Sequence, residues 1–210
     1  MSVTPLAEKI DVRFVSHIAA GMAEQDAFIE RADVPAGQVV RPTAEDAKQP
    51  NQPLYATATA TPDDPFQVGP HPLGPFAKGD PLDVTLGQWL AAAGSGEYTI
   101  QGDTAELNLT FRNLVPDGLY TVLTPRITLP PNFAVQPGIA GAPDGSQAMF
   151  RADARGNATY TLSLKPLPES NKSTVTALII AYNCLGEWRG EFGKNTHQQL
   201  FFMIPPVGGL

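Results

Sequence analysis

From residue 97 onward, the pattern of hydrophobic and polar residues predicts strands separated by turns. In the segment TAELNLTFRN, for example, Leu107, Leu109 and Phe111 have one parity and polar residues have the other. Residues two apart lie on the same face of a strand, so this segment predicts an antiparallel strand with one face in solvent. The β-branched run STVTALIIAYN predicts a central strand, and HQQLFFMI predicts the last strand.

Turn residues separate these strand segments at short intervals. We expect turns at Gly102-Asp103, at 116–118 (Pro-Asp-Gly) and at 154–157 (Ala-Arg-Gly-Asn). The last turn is predicted to be the loop of a β-hairpin formed by QAMFR and ATYTLSL. Six or seven short strands at this spacing predict an all-β fold, an antiparallel β-sandwich over residues 82–210.

The first 94 residues have different patterns. Residues 1–34 predict a small element, with a strand in IDVRFVSHI and a short helix in MAEQDAFIERAD. Ten prolines between residues 35 and 81 exclude a helix there, so this segment is predicted to be an extended arm or linker in which PLYATATAT is an edge strand. Residues 83–94 predict one short helix, capped by Thr85 and ended by Gly94.

Composition narrows the classes of function. The chain has 210 residues, a net charge of −7 and 17% charged residues. An acidic chain without a basic run is a poor partner for a phosphate backbone, which disfavours nucleic-acid binding. A single cysteine excludes an internal disulfide and a CxxC metal or redox motif. We expect no signal peptide, because no basic segment precedes an apolar one, and no membrane span.

Two short motifs resemble those of known β-sandwich domains. The segment NLVPDGLYTV contains Leu114, Pro116 and Tyr120 in the Leu-x-Pro-x-x-x-Tyr pattern, and it resembles fibronectin type III and related immunoglobulin-like domains. The segment ADARGNATYT is similar to the Asp-x-x-Gly-Asn turn of bacterial immunoglobulin-like surface modules. The resemblance implies an immunoglobulin-like sandwich in which the Tyr120 hydroxyl bonds to the backbone a few residues upstream. A jelly roll is the alternative topology.

Cys184, His197 and Met203 occur in the order of a copper electron-transfer site. The 13 residues from Cys184 to His197 exceed the short ligand loop of such sites, and a strand of six residues separates His197 from Met203 by roughly 20 Å. The second histidine ligand would have to be His17 or His71. We therefore expect no metal or other cofactor, and a cysteine that packs as a small hydrophobic residue. A nucleophilic Cys184–His197 pair has no local signature to support it.

Trp188, Arg189 and Phe192 are the predicted binding residues. They lie between Gly186 and Gly193, outside any strand pattern. Tryptophan, arginine and other aromatic residues in loops are frequent anchors of interfaces. The alternative is that the two aromatic side chains fold back and cover the end of the sandwich.

Three functions follow from this sequence. The first is a non-enzymatic structural or assembly subunit of the virion, tail, sheath or surface-layer type, which forms a homo-oligomer or larger assembly through the N-terminal arm. The second is a ligand- or glycan-binding surface module that uses the loop at residues 185–196. The third is a cupredoxin-like copper redox protein. The localisation is open, with a virion or cell surface favoured over the cytoplasm.

Overall fold

A computed structural model describes residues 7–58, 72–184 and 196–206. The secondary structure of these residues is mostly antiparallel β-sheet, accompanied by one short α-helix and a 3-10 turn. This architecture confirms the prediction of an all-β sandwich. Within the described part of the chain, no helix has the length and hydrophobicity needed to cross a bilayer.

Thirteen strands are numbered in chain order. The 3-10 turn is Asp46–Lys48 and the helix α1 is Leu86–Leu90. The strands are β1 (Glu8–Arg13), β2 (Gln38–Val39), β3 (Pro53–Thr57), β4 (Phe76–Thr85), β5 (Ala93–Gln101), β6 (Thr104–Arg112), β7 (Leu119–Leu123), β8 (Arg126–Thr128), β9 (Ala134–Gln136), β10 (Met149–Arg151), β11 (Ala158–Leu164), β12 (Thr174–Asn183) and β13 (Thr196–Met203).

The first layer of the sandwich, sheet A, has the strand order β1-β5-β6-β11. The predicted turn at Gly102-Asp103 joins β5 and β6 into a tight hairpin, and Gly102 has a positive φ of 61°. Burial alternates along β6 as the sequence predicts, with Leu107, Leu109 and Phe111 in the core. Sheet A therefore has one solvent-exposed face and one buried face.

The second layer, sheet B, is built around β12. This strand pairs with β7 and β8 along one edge and with β13 along the other, so it is the central strand that its β-branched run predicts. Strands β10 and β9 extend the sheet beyond β7 and β8. Both faces of β12 are buried, because Leu178 and Ile180 contact sheet A while Ala177 and Ile179 belong to a smaller apolar cluster on the outer face.

The turn at residues 154–157 exists but does not close a hairpin, contrary to the prediction. Strand β10 before it pairs with β7 in sheet B, and β11 after it pairs with β6 in sheet A. The Asp153 carboxylate accepts hydrogen bonds from the backbone N–H groups of Arg155 and Asn157, at 2.9 and 2.7 Å. The residues of the turn determine that the chain reverses here. They do not determine which sheet each flanking strand joins.

The Pro-rich segment pairs within its own chain where the structure describes it. Strands β2 and β3 flank β4 in a small three-stranded sheet, and β3 comes from the segment PLYATATAT. Side chains of this segment, such as Val40 and Leu54, lie in the main core cluster together with the inner faces of the two large sheets. The small sheet thus packs against the sandwich.

Helix α1 begins as predicted and ends earlier. The Thr85 side chain caps Gln88 N–H, and the Gln88 side chain accepts from Thr85 N–H, which is a capping box. The helix ends at Leu90, and Gly94 lies in β5. The helix expected within residues 22–33 is absent; this segment is irregular, with bridges from Phe28 to Tyr55 and from Ile29 to Val40. In this segment, backbone pairing with distant residues outweighs the weak intrinsic preference for a helix.

The upstream contact predicted for Tyr120 is present. The Tyr120 hydroxyl accepts a hydrogen bond from Val115 N–H at 2.8 Å and donates one to Gln199 Oε1 at 2.9 Å. The Gln199 amide in turn donates to the Trp89 carbonyl oxygen at 3.0 Å. Tyr120, Gln199 and Trp89 are all buried, so this chain of bonds ties β7, β13 and α1 together inside the core.

Candidate functional site

The predicted binding residues Trp188, Arg189 and Phe192 lie outside the described residues. The described chain leaves β12 at Cys184 and resumes at Thr196, the first residue of β13. The loop hypothesis therefore stays a prediction.

A cleft of about 850 Å³ lies between the small sheet and one end of sheet B. Strand β4 supplies much of its lining, the β6–β7 corner supplies Val115 and Pro116, and β12 and the residue after it supply Tyr182 and Cys184. Three charged residues of β4 line the cleft: Lys78, Asp80 and Asp83. Lys78 is partly neutralised, because its ammonium lies 2.9 Å from the Glu30 carboxylate and 3.8 Å from the centre of the Tyr55 ring.

Cys184 and His197 are in direct contact beside this cleft. The distance from Cys184 Sγ to His197 Nε2 is 3.4 Å, and His197 Nδ1 is 2.6 Å from the Asp26 carbonyl oxygen. His197 pairs with Tyr182 across the β12–β13 ladder. Since alternate residues share a face, Tyr182, Cys184 and His197 all project to the inner side of sheet B.

The hydrogen bonds fix the protonation of this pair. A carbonyl oxygen only accepts, so His197 Nδ1 carries the proton, and Nε2 is left as an acceptor for the thiol S–H. Burial lowers the pKa of His197, partly offset by its bond to the Asp26 carbonyl. Burial also raises the pKa of the Cys184 thiol, and the nearby Asp80 carboxylate adds to this. Both groups are therefore neutral at rest.

Cys184 and His197 are 13 residues apart in the sequence and adjacent in space. Cys184 directly follows β12 and His197 is the second residue of β13. Because these strands are antiparallel neighbours, the two residues meet whatever the length of the loop that connects them. The same ladder keeps Met203 away, because Met203 pairs with Ala177 at the opposite end of β13 and is exposed. Among the described residues, no group of three or more His, Cys, Asp or Glu side chains is placed to hold a metal ion.

Sequence reasoning missed the other members of this site. Asp26 contributes its carbonyl to His197, and its carboxylate accepts from Gln198 N–H at 3.1 Å, from a segment predicted to be helical. Asp80 belongs to the predicted arm (35–81) and Asp83 to the predicted helix segment (83–94), and neither segment is predicted to contact β12. The only available signal for the Cys184–His197 contact was the succession of the predicted central and last strands, which would place the two residues together if those strands paired. Nothing local signals the contacts from β4.

The two edges of sheet A differ in chemistry. Strand β1 forms one edge and has the sequence EKIDVR, in which four of six residues are charged. Strand β11 forms the other edge and has the sequence ATYTLSL, with no charge, proline or glycine. Its pairing with β6 runs without a bulge from Ala158 to Leu164, and within the described chain no other strand pairs with it.

Comparison with known proteins adds no further identification. No protein-family model matches the chain, and no curated protein or solved structure shows significant similarity to it.

Proposed function

We propose that this protein is a non-enzymatic structural or assembly subunit that associates with a second copy of itself through the edge of β11, with which no other described strand pairs. The observation that carries the proposal is the contrast between the edges of sheet A. Proteins protect an exposed sheet edge with charges, prolines or bulges, because an unprotected edge is a template for another strand. Strand β1 has that protection and β11 lacks it.

The sequence of β11 suits antiparallel pairing with its own copy. A two-fold axis at Thr161 would place Thr159 opposite Ser163 of the second copy and Tyr160 opposite its Leu162. The exposed hydroxyl side chains of Thr159 and Ser163 would then pair with each other, and the buried aromatic side chain of Tyr160 would pair with the buried aliphatic side chain of Leu162. Both are favourable cross-strand pairs. The self-complementary contact is the isologous kind found in two-fold dimers.

The sheet order supports an immunoglobulin-like version of the sandwich over a jelly roll. Immunoglobulin domains place strands A, B and E in one sheet and C, F and G in the other. Strands β5, β6 and β11 correspond to the first set, and β7, β12 and β13 to the second, with β10 beside β7 as the additional strand C′. In this assignment Tyr120 occupies the B–C corner, whereas immunoglobulin domains have their tyrosine at the E–F corner.

Assembly through the N-terminal arm has less support than assembly through β11. Strands β1, β2 and β3 pair with other strands of the same chain, which removes them as free donors to a neighbour. The larger assemblies of a virion, tail, sheath or surface layer would need a second contact in addition to the two-fold one, because a two-fold interface closes on itself.

Sedimentation velocity over a range of protein concentrations tests this proposal. We expect a concentration-dependent dimer for the natural chain, and a monomer for Thr161→Lys, because two lysines would face each other across the two-fold axis. The matched control is Thr110→Lys, which adds the same charge to the same wet face on the inner strand β6 and should leave the dimer intact. A strict monomer at the highest soluble concentration would refute the proposal.

A mixing experiment tests the register itself. Thr161→Lys and Thr161→Glu should each be monomeric, and an equimolar mixture should form the heterodimer, because opposite charges then face each other at the axis. Variants that each dimerise would place the interface elsewhere, and a mixture that stays monomeric while the natural chain dimerises would place the two-fold axis away from Thr161.

The cleft favours a second candidate, a ligand-binding module. A concave site of about 850 Å³ with a few charged groups is of the size that small polar ligands occupy. Thermal unfolding in the presence of a panel of mono- and oligosaccharides tests it, with Asp83→Asn as the comparison. A ligand that stabilises the natural chain and not the variant would support binding in the cleft; stabilisation equal in both would exclude it.

A further inference from the structure

We propose that Cys184 and His197 form a reactive thiol site, in which His197 takes the thiol proton and Cys184 exchanges with small disulfides that enter the cleft. None of the residues that line the cleft belongs to β11, so the site is separate from the proposed assembly edge. The Cys184 thiol lies at the wall of the cleft, and the buried His197 imidazole contacts it from the core side.

The geometry gives the imidazole its role as the base. Because the Asp26 carbonyl holds the proton on Nδ1, the lone pair of Nε2 faces Sγ at 3.4 Å. Transfer of the S–H proton to Nε2 produces a thiolate beside an imidazolium without a change in net charge. Burial penalises a lone thiolate or a lone imidazolium more than this neutral pair, so the pair is the accessible form of the nucleophile.

The exchange step balances without an additional oxidant. Cys184 Sγ attacks one sulfur of the disulfide, a new S–S bond forms to Cys184, and the disulfide's own S–S bond breaks. The proton moves from Sγ to His197 Nε2 and then to the departing thiolate, which leaves as a thiol. The disulfide is the oxidant, and the product is a mixed disulfide on Cys184.

The charges around the cleft select among disulfides. Among the described residues, the titratable or charged groups that face the pair are Asp80, Asp83 and Lys78 on β4, Tyr182 on β12, and Asp26. Lys78 pairs with Glu30, so the two aspartates of β4 are the dominant charges of the described cleft wall. A cationic disulfide of an aminothiol should therefore react faster than an anionic disulfide of the same length.

The pH profile of the exchange rate distinguishes this site from an ordinary thiol. Between the two macroscopic pKa values of a coupled pair, the fraction of thiolate–imidazolium is independent of pH. We expect the rate with cystamine to change less than threefold from pH 6.5 to 8.0, whereas an ordinary thiol would accelerate by about 25-fold over this range. Mass spectrometry measures the adduct directly, because Cys184 is the only cysteine.

Variants complete the test. His197→Asn keeps an amide N–H toward the Asp26 carbonyl and removes the base, so its rate at pH 7 should fall at least tenfold and should then rise steeply with pH. Circular dichroism tests whether this variant is folded. If it is not folded, the pH profile of the exchange rate in the natural chain decides the question. A steep profile in the natural chain, or dithiodipropionate reacting as fast as cystamine, would overturn the proposal.

Discussion

Removing the Tyr120 hydroxyl should destabilise the protein more than the loss of an ordinary tyrosine hydroxyl. In the variant Tyr120→Phe, two partners lose their bonds at once. One is Val115 N–H at the corner before β7, and the other is the Oε1 atom of Gln199 on β13. Tyr120 and Gln199 are fully buried, so no water replaces the lost donor at Gln199.

The expected loss follows from these two partners. A buried polar group left without a hydrogen bond costs about 1–3 kcal/mol, and Val115 lies toward the low end because it is only half-buried. We expect the free energy of unfolding to fall by about 2–4 kcal/mol. For a chain of this length, that fall lowers Tm by roughly 5–15 °C.

Urea unfolding followed by fluorescence measures this loss, and Tyr160→Phe is the matched control. The Tyr160 hydroxyl makes one bond, to the Gln147 carbonyl oxygen at 2.8 Å, and its removal should cost about 1 kcal/mol. The free energy difference between the two variants is the informative quantity. If Tyr120→Phe and Tyr160→Phe agree within about 0.5 kcal/mol, the buried network through Gln199 does not contribute as the structure implies.

Two further predictions concern backbone packing and pH. Gly96→Ala should unfold the protein or lower the free energy of unfolding by several kcal/mol, because a Cβ there would overlap the Asn108 carbonyl oxygen in the β5–β6 ladder. In the control Gly37→Ala, the added Cβ meets open space, and the positive φ alone should cost about 1–2 kcal/mol; chemical denaturation of both variants measures the difference. The pKa of His197 is lowered in the folded state, so as the pH falls the unfolded chain takes up a proton at this residue before the folded chain does. The free energy of unfolding should therefore decrease as the pH falls from about 6.5 toward the folded pKa, by at most about 1.4 kcal/mol per pH unit. His197→Asn should flatten this slope in urea titrations, and an unchanged slope would contradict the assignment.

The sequence predicted the elements whose pattern is local. The alternation in β6, the central position of β12 and the Thr85 cap of α1 all follow from residues within one segment. The Tyr120 contact was also predictable, because its partner Val115 is five residues away. The predicted hairpin at residues 154–157 failed because turn residues do not specify which sheet the next strand joins.

The candidate site was harder to predict than the fold. The contact between Cys184 and His197 depends on the pairing of β12 with β13, and the Asp26 carbonyl comes from a segment about 170 residues earlier in the chain. Asp80 comes from β4, which belongs to a different sheet. Contacts between residues so far apart in the sequence leave no periodic pattern from which they could be predicted.

The sequence by itself determined the class of fold, because alternation of hydrophobic residues, turn residues and helix caps act through neighbours along the chain. Tertiary structure alone decided which strands pair, and therefore which side chains meet. In the tertiary structure, the described part of the Pro-rich segment packs on the core of its own chain, β11 is the uncharged edge of sheet A, and the buried His197 imidazole contacts the Cys184 thiol. These outcomes depend on the packing of whole sheets, in which residues distant in sequence compete for the same buried surface.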